Sequence, residues 1–391
     1  MPMNVNRWNE NATCSLLSSA GLHASEPRVN VNMQRVRVLT CLAALSLLIS
    51  CRAPSPSQLE ADNPVRPSAS APFGLDAFFA NAQRPVPSHV RLGRWLFFDR
   101  RLSADNSISC ASCHRPEFAF SERTPVSRGI AGQPGRRKTP SVVNLGAHTI
   151  LPDLPDAGPS FFWDGRATSL EAQVLMPIAD AREMGFEHPA MVARLSQITG
   201  YRPYFREAFG DDSITTNQVA VALADYVRSR MSGNAAYDRW SYGGEAGALS
   251  TQQQKGLDIF FFTGRCSVCH AGFNFSDGRF HNLGVGWQDT TGTFADDGRA
   301  AVSHLPTDRG RFKTPGLRDV TKHPPYMHDG SLATLRDVVE FYNRGGIHNP
   351  FLSARVRPLG LTSAEMDALV AFLESLDGEG YQDQGPRLFP R

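Results

Sequence analysis

No excess of charge of either sign marks this 391-residue chain: 40 Lys and Arg stand against 38 Asp and Glu, a formal +2. That balance gives no electrostatic grip on nucleic acid, whose phosphates call for a basic face. No apolar run reaches the roughly 20 residues needed to cross a bilayer; the one run of note is residues 38–50, VLTCLAALSLLIS. Segments of alternating strand character are scarce. Cysteine is sparse too, and its count of seven is odd, which excludes a complete set of intrachain disulfides. With 41% hydrophobic and 20% charged residues the rest is ordinary globular composition, and the length allows two or three domains.

The 38–50 run suits the hydrophobic segment of a secretory signal peptide, with Arg35 and Arg37 just ahead of it. It ends Leu48-Ile49-Ser50-Cys51, which resembles the bacterial lipobox and makes Cys51 the lipid-modified first residue of the mature protein. Residues 33–50 are therefore expected to be a lipoprotein signal peptide and 1–32 an over-extended N-terminus ahead of a start at Met33. Cys14 falls in that extension, and Cys41 leaves with the signal. Residues 51–72, rich in Pro, Ser and Ala, read as a flexible tether. The expected location is periplasmic, held to a membrane only through the lipid anchor.

The remaining four cysteines form two copies of one pattern, Cys110-Ala-Ser-Cys113-His114 and Cys266-Ser-Val-Cys269-His270. C-x-x-C-H is the attachment signature of c-type haem: two thiols add to the porphyrin vinyls, and the adjoining imidazole reaches the iron. A zinc site would need further ligands nearby, and the folded body has no other cysteine. A thioredoxin-type redox pair would need a βαβ setting that is missing. Two covalently bound c-type haems are expected.

Helical periodicity precedes each motif, at Val90–Phe98 and Thr251–Phe260. Ser250 is a candidate cap for the second, after a glycine break at Tyr242-Gly243-Gly244. Further helices are expected at Leu170–Pro177, Asn217–Met231, Leu332–Tyr342 and Ser363–Leu376, the last capped by Ser363. The reading is an all-α body of two cytochrome-like domains, each wrapping one haem. The N-terminal haem domain is placed at 73–244, the C-terminal one at 245–380, and a tail at 381–391.

Two further boxes, Phe161-Phe162-Trp163-Asp164-Gly165-Arg166-Ala167 and Pro325-Tyr326-Met327-His328-Asp329-Gly330, follow the haem motifs in an order that resembles the bacterial dihaem cytochrome c peroxidase and MauG family. The resemblance runs from about residue 90 to about 377. It implies an oxidoreductase that reduces H₂O₂ at the N-terminal haem, with His114 as proximal ligand, and exchanges electrons through the C-terminal haem with an external donor. The implied donor is a small redox protein, a cytochrome c or cupredoxin. The MauG branch implies instead oxidation of a Trp or Tyr side chain on a partner protein, and a non-catalytic electron carrier is the alternative outside catalysis. Glu183 and Gln173 match the family's polar pair on the peroxide side. Pro177 matches a residue that keeps a sixth ligand from the iron, and Trp163 matches the tryptophan between the haems.

Departures from the common peroxidase pattern carry further expectations. Arg128 stands where peroxidases that need reductive activation place a distal His. Opposite His270 the aligned ligand position falls on Tyr342 rather than Met, with Met327 as the lesser candidate. A phenolate is a hard donor that favours oxidised iron, whereas a thioether favours the ferrous state. Lys138 and His323 occupy positions of the family's calcium site, where an ammonium would repel Ca²⁺, so no calcium is expected.

Overall fold

The computed structural model describes residues 54–64, 73, 84–146 and 160–391. The expected signal peptide and Cys14, Cys41 and Cys51 lie outside these residues. Inside the stretch that reads as tether, residues 56–62 instead form helix α1 (Pro56–Asp62). Ser55 and Gln58 close a reciprocal capping box, and Pro56 occupies the first turn, where its missing N–H costs nothing. Leu59 is buried, and the Asn63 amide donates to the Arg91 carbonyl at 2.7 Å, so the segment is docked there.

The body is helical, with two short antiparallel ribbons as its strands among the described residues. Its frame is a pair of helix crossings with the same internal geometry. Helix α2 (Pro87–Phe98) carries Gly93, where a Cβ would lie 1.9 Å from the Ala222 carbonyl oxygen on α6 (Thr216–Arg228). Later in the chain α8 (Thr251–Phe261) carries Gly256, with the same 1.9 Å to the Ala368 carbonyl of α10 (Ser363–Glu374). Only glycine permits backbones to approach this closely. One turn beyond each glycine an aromatic triad locks the crossing. Phe97, Phe120 and Tyr226 have ring centroids 5.0, 5.8 and 6.3 Å apart. Phe260, Phe275 and Phe372 repeat them at 5.0, 5.8 and 6.2 Å. Each triad belongs to its own hydrophobic core, one drawn mainly from residues 90–227 and the other from 237–376.

Between α2 and α6 in the chain lie α3 (Leu170–Ala179), α4 (His188–Gln197) and α5 (Arg202–Phe209), and α7 (Ala236–Ser241) links the two frames. Helix α9 (Leu335–Asn343) precedes α10. Capping boxes open α6, α8, α9 and α10. Ser250 caps α8 as expected, but α10 is capped by Thr362, because Glu365 stands at its third position and closes the box; Ser363 is the first helical residue. The final residues close over the first core. Asp383 accepts from Arg94 and from the Tyr226 hydroxyl, and Phe389 packs on Trp95.

Candidate active site

Each C-x-x-C-H motif folds as one tight helical turn, Cys110–Cys113 and Cys266–Val268. The chain then reverses so that a carbonyl faces the histidine. His114 Nδ1 donates to the Phe120 carbonyl at 3.0 Å, and His270 Nδ1 to the Phe275 carbonyl at 2.8 Å. A carbonyl only accepts, so both Nδ1 atoms carry the proton and both Nε2 lone pairs are free for a metal. Phe120 and Phe275 sit in left-handed backbone, φ 53° and 51°, held there by their buried rings. Burial pushes both imidazoles below their usual range, which keeps them neutral.

All six motif residues line one continuous cavity of ≈1380 Å³. That exceeds the roughly 300–1,000 Å³ of an ordinary small-ligand pocket. Paired thiols beside an oriented, neutral imidazole, occurring twice in one cavity of this size, are a donor set that fits two c-type haems.

On the first side the wall is built by α3 and the loop that follows it. Met184 N–H bonds back to the Pro177 carbonyl at 3.1 Å and Phe186 N–H to the Ile178 carbonyl at 2.7 Å, folding residues 180–186 against the helix. The Glu183 carbonyl accepts from Ile130 N–H at 2.8 Å, and Gly129 lies against the Arg182 carbonyl, where a Cβ would meet the oxygen at 1.9 Å. Glu183, Gln173 and Pro177 thereby line the same cavity as His114. Burial raises the Glu183 carboxyl above its usual range; Asp180 adds to the rise and Arg166 opposes it. Arg128 is exposed, with Nη1 donating to the Gly132 carbonyl at 3.2 Å.

Trp163 sits between two equivalent turns. Its indole N–H donates to the Lys138 carbonyl and its own carbonyl accepts from Lys313 N–H, both at 2.8 Å. Both lysines begin a Lys-Thr-Pro sequence, 138–140 and 313–315. Ser121 Oγ donates to the Thr139 carbonyl at 2.6 Å and Ser276 Oγ to the Thr314 carbonyl at 2.7 Å, so these turns hold corresponding places in the two halves. The lysine ends differ. Lys138 Nζ donates to the Glu122 and Thr124 carbonyls, Lys313 Nζ to the Ser160 carbonyl at 2.5 Å. Burial pushes both ammonium groups down to about 8; for Lys138, Glu122 partly offsets it. Burial and the neighbouring Lys138 push His323 down to about 4.

At the second motif α9 delivers Tyr342 to the cavity wall, and Met327, in left-handed backbone at φ 72°, lines it as well. Burial pushes the Tyr342 phenol well up, and the Cys269 and Cys266 sulfurs add to the rise. Three groups not anticipated from sequence complete the site. Arg137 bridges Asp164 at 2.6 Å and Asp296 at 2.7 Å, joining the segments on either side of Trp163. His328 stacks on Phe312 with centroids 3.5 Å apart. His281 bonds Asp277 at 2.9 Å beside Cys269. The repeated Lys-Thr-Pro was the one visible signal for Lys313; the Arg137–Asp296 pair joins residues far apart in sequence, whereas His281 and Asp277 are only four residues apart.

Residues 87–246 match the family described as di-haem cytochrome c peroxidase. The methylamine utilization protein MauG of Methylorubrum extorquens is 40% identical over 295 residues, covering 75% of this chain and 79% of that protein. A cytochrome-c peroxidase of Denitromonas iodatirespirans is 36% identical over 324 residues, 76% and 84% of the two chains. Among solved structures, a MauG-like protein associated with microbial copper homeostasis superposes with a TM-score of 0.70 at 28% identity, covering 82% of this chain and 99% of that one.

Proposed function

From the premise that this chain belongs to the dihaem cytochrome c peroxidase and MauG family, and is an oxidoreductase of that type, we propose that it reduces H₂O₂ on the His114 side of the cavity and exchanges electrons through the His270 side. The observation that carries the reading is the convergence of Glu183, Gln173 and His114 on one cavity that also reaches His270. When bound, haem supplies iron that takes the peroxide and passes electrons to it. The residues do the rest. His114, oriented by the Phe120 carbonyl, would hold the iron through Nε2. Glu183 as a carboxylate takes the proton from the inner peroxide oxygen and returns it to the leaving one, which its raised pKa suits. Gln173 orients the peroxide, and Pro177 offers no side-chain donor.

Cys110, Cys113, Cys266 and Cys269 carry the thioethers in a 73–244 and a 245–380 haem domain. Trp163, clamped between the Lys138 and Lys313 turns, is the relay between them. Tyr342, ahead of Met327, would supply the further protein donor to the iron held by His270. The first reading takes a cytochrome c or cupredoxin as electron donor; that phenol is the observation behind a second reading, MauG-like oxidation of a Trp or Tyr side chain on a partner protein. Lys138, its ammonium among the Glu122 and Thr124 carbonyls, stands in for calcium, with His323 at the same family position set. No helix among the described residues is long and apolar enough to cross a membrane, and attachment is assigned to a lipid on Cys51 in the periplasm. The test adds H₂O₂ to the oxidised protein as isolated. A haem spectral change without prior reduction, lost in Glu183→Gln, is expected; reaction only after one haem is reduced would overturn the reading.

A further inference from the structure

The second motif reaches the surface through a rim of one sign. Arg265, Arg355 and Arg357 are exposed yet line the cavity beside Cys266 and Cys269, so the cavity opens between them. Arg355 Nη1 donates to the Val268 carbonyl at 2.8 Å, tying the 353–358 loop to the residues between the cysteines. Gly345 packs against Arg357 and Pro358, which brings exposed Arg344 to the same loop. The two segments that build this rim, 259–276 and 341–364, hold four arginines and no Asp or Glu. Asp258, Asp277, Glu340 and Glu365 flank these segments, each one residue outside them.

Beside the arginines stand two apolar side chains that face water. Phe262 is 73% exposed and Phe261 42%, the one adjacent pair among the large hydrophobics exposed in the described residues. Single exposed apolar residues need no explanation, but a neighbouring pair next to a charged rim marks a contact surface. Both are fixed to the motif: the Phe261 carbonyl accepts from Ser267 Oγ at 3.3 Å and the Phe262 carbonyl from Arg265 N–H at 3.2 Å. Exposed aromatics with arginine close by in the chain have the composition of an interface hot spot.

We propose that this rim docks a small redox protein that presents an acidic face around its own exposed cofactor edge, with Phe262 as the apolar anchor. The proposal rests on the reading of the His270 side as the point of electron exchange, and it adds the sign and chemistry of the partner. Each docked donor gives up one electron; two donors and two protons reduce one H₂O₂ to two waters. Opposite charge steers the encounter and fixes orientation, while the phenylalanines hold the complex.

The test titrates the holoprotein with two probes, an acidic plastocyanin and a basic mitochondrial cytochrome c, following binding by NMR line broadening and calorimetry. Plastocyanin is expected to bind, more weakly as salt rises, and cytochrome c is not. Phe262→Ser, whose side chain is outside both core and cavity, should weaken plastocyanin binding by about tenfold and leave the donor-free reaction with H₂O₂ unchanged. Arg357→Glu should weaken plastocyanin binding and gain binding of cytochrome c. Equal affinity for both probes, salt-independent binding, or an unaffected Phe262→Ser would overturn the proposal. So would adsorption to anionic phospholipid vesicles without plastocyanin binding, which would make the rim a membrane face. Binding is read without peroxide, so a protein inert to H₂O₂ that still docks plastocyanin would defeat the functional reading and leave this one standing.

Discussion

Replacing Gly256 by alanine places a methyl carbon 1.9 Å from the Ala368 carbonyl oxygen and 2.8 Å from the Phe372 Cβ. Ordinary contact begins near 3.4 Å, so α8 and α10 must part by about 1.5 Å, and neither obstacle can rotate away because one is backbone and the other a Cβ. Parting them loosens the Phe260–Phe372 contact at 5.0 Å, the closest in its triad, directly beneath the turn that presents Cys266. Overpacking a well-filled core costs about 1–3 kcal/mol, and an immovable obstacle puts this case at the upper end. At about 2–4 °C per kcal/mol for a unit of this size, Tm should fall by roughly 6–12 °C. Gly93→Ala meets the same 1.9 Å obstacle at Ala222 and should cost a similar amount. Gly247 has no atom near its absent Cβ, so Gly247→Ala should be neutral or raise stability by about 0.4–1 kcal/mol. The assay is thermal unfolding of the haem-loaded proteins by circular dichroism. A Gly256→Ala protein melting within a degree of wild type would refute the equivalence of the two crossings.

Three other outcomes follow from the site. Glu183→Gln should slow the reaction with H₂O₂ by about 10²–10⁴-fold. Burial raises the Glu183 pKa, so the proton-accepting carboxylate is lost as pH falls through that raised value; wild-type stopped-flow rates should drop on the acid side and the variant should lack that limb. Tyr342→Met should change the spectrum of the C-terminal haem and raise its reduction potential, because a thioether favours ferrous iron; an unchanged spectrum would discard Tyr342 as ligand. Ca²⁺ added to metal-stripped wild type should leave the haem spectrum unaltered, whereas Lys138→Asn should acquire a response, and a stoichiometric response from wild type would contradict the role given to the Lys138 ammonium.

What could be read from sequence was local. The two C-x-x-C-H motifs announce themselves within five residues, and the helices leading into them show their period in about ten. Caps are local too, yet Thr362 and Ser363 are both competent, and only Glu365 at the right offset decides between them. The helix at Pro56–Asp62 was hidden by tether-like composition, although Ser55 and Gln58 are a capping box at the proper spacing. The aromatic triads were out of reach, since Phe97 meets Tyr226 and Phe260 meets Phe372 across more than a hundred residues. The same holds for the Arg137 bridge between Asp164 and Asp296.

The proposed function calls for two unlike iron sites, one at His114 that takes no second protein ligand and one at His270 that takes Tyr342. Electron paramagnetic resonance of the oxidised protein as isolated reads both at once. One high-spin ferric signal and one low-spin signal are predicted, with the high-spin signal alone lost in a variant lacking His114. Two low-spin signals, the mark of two haems with both axial positions filled, would contradict the account and leave a dihaem electron carrier in its place.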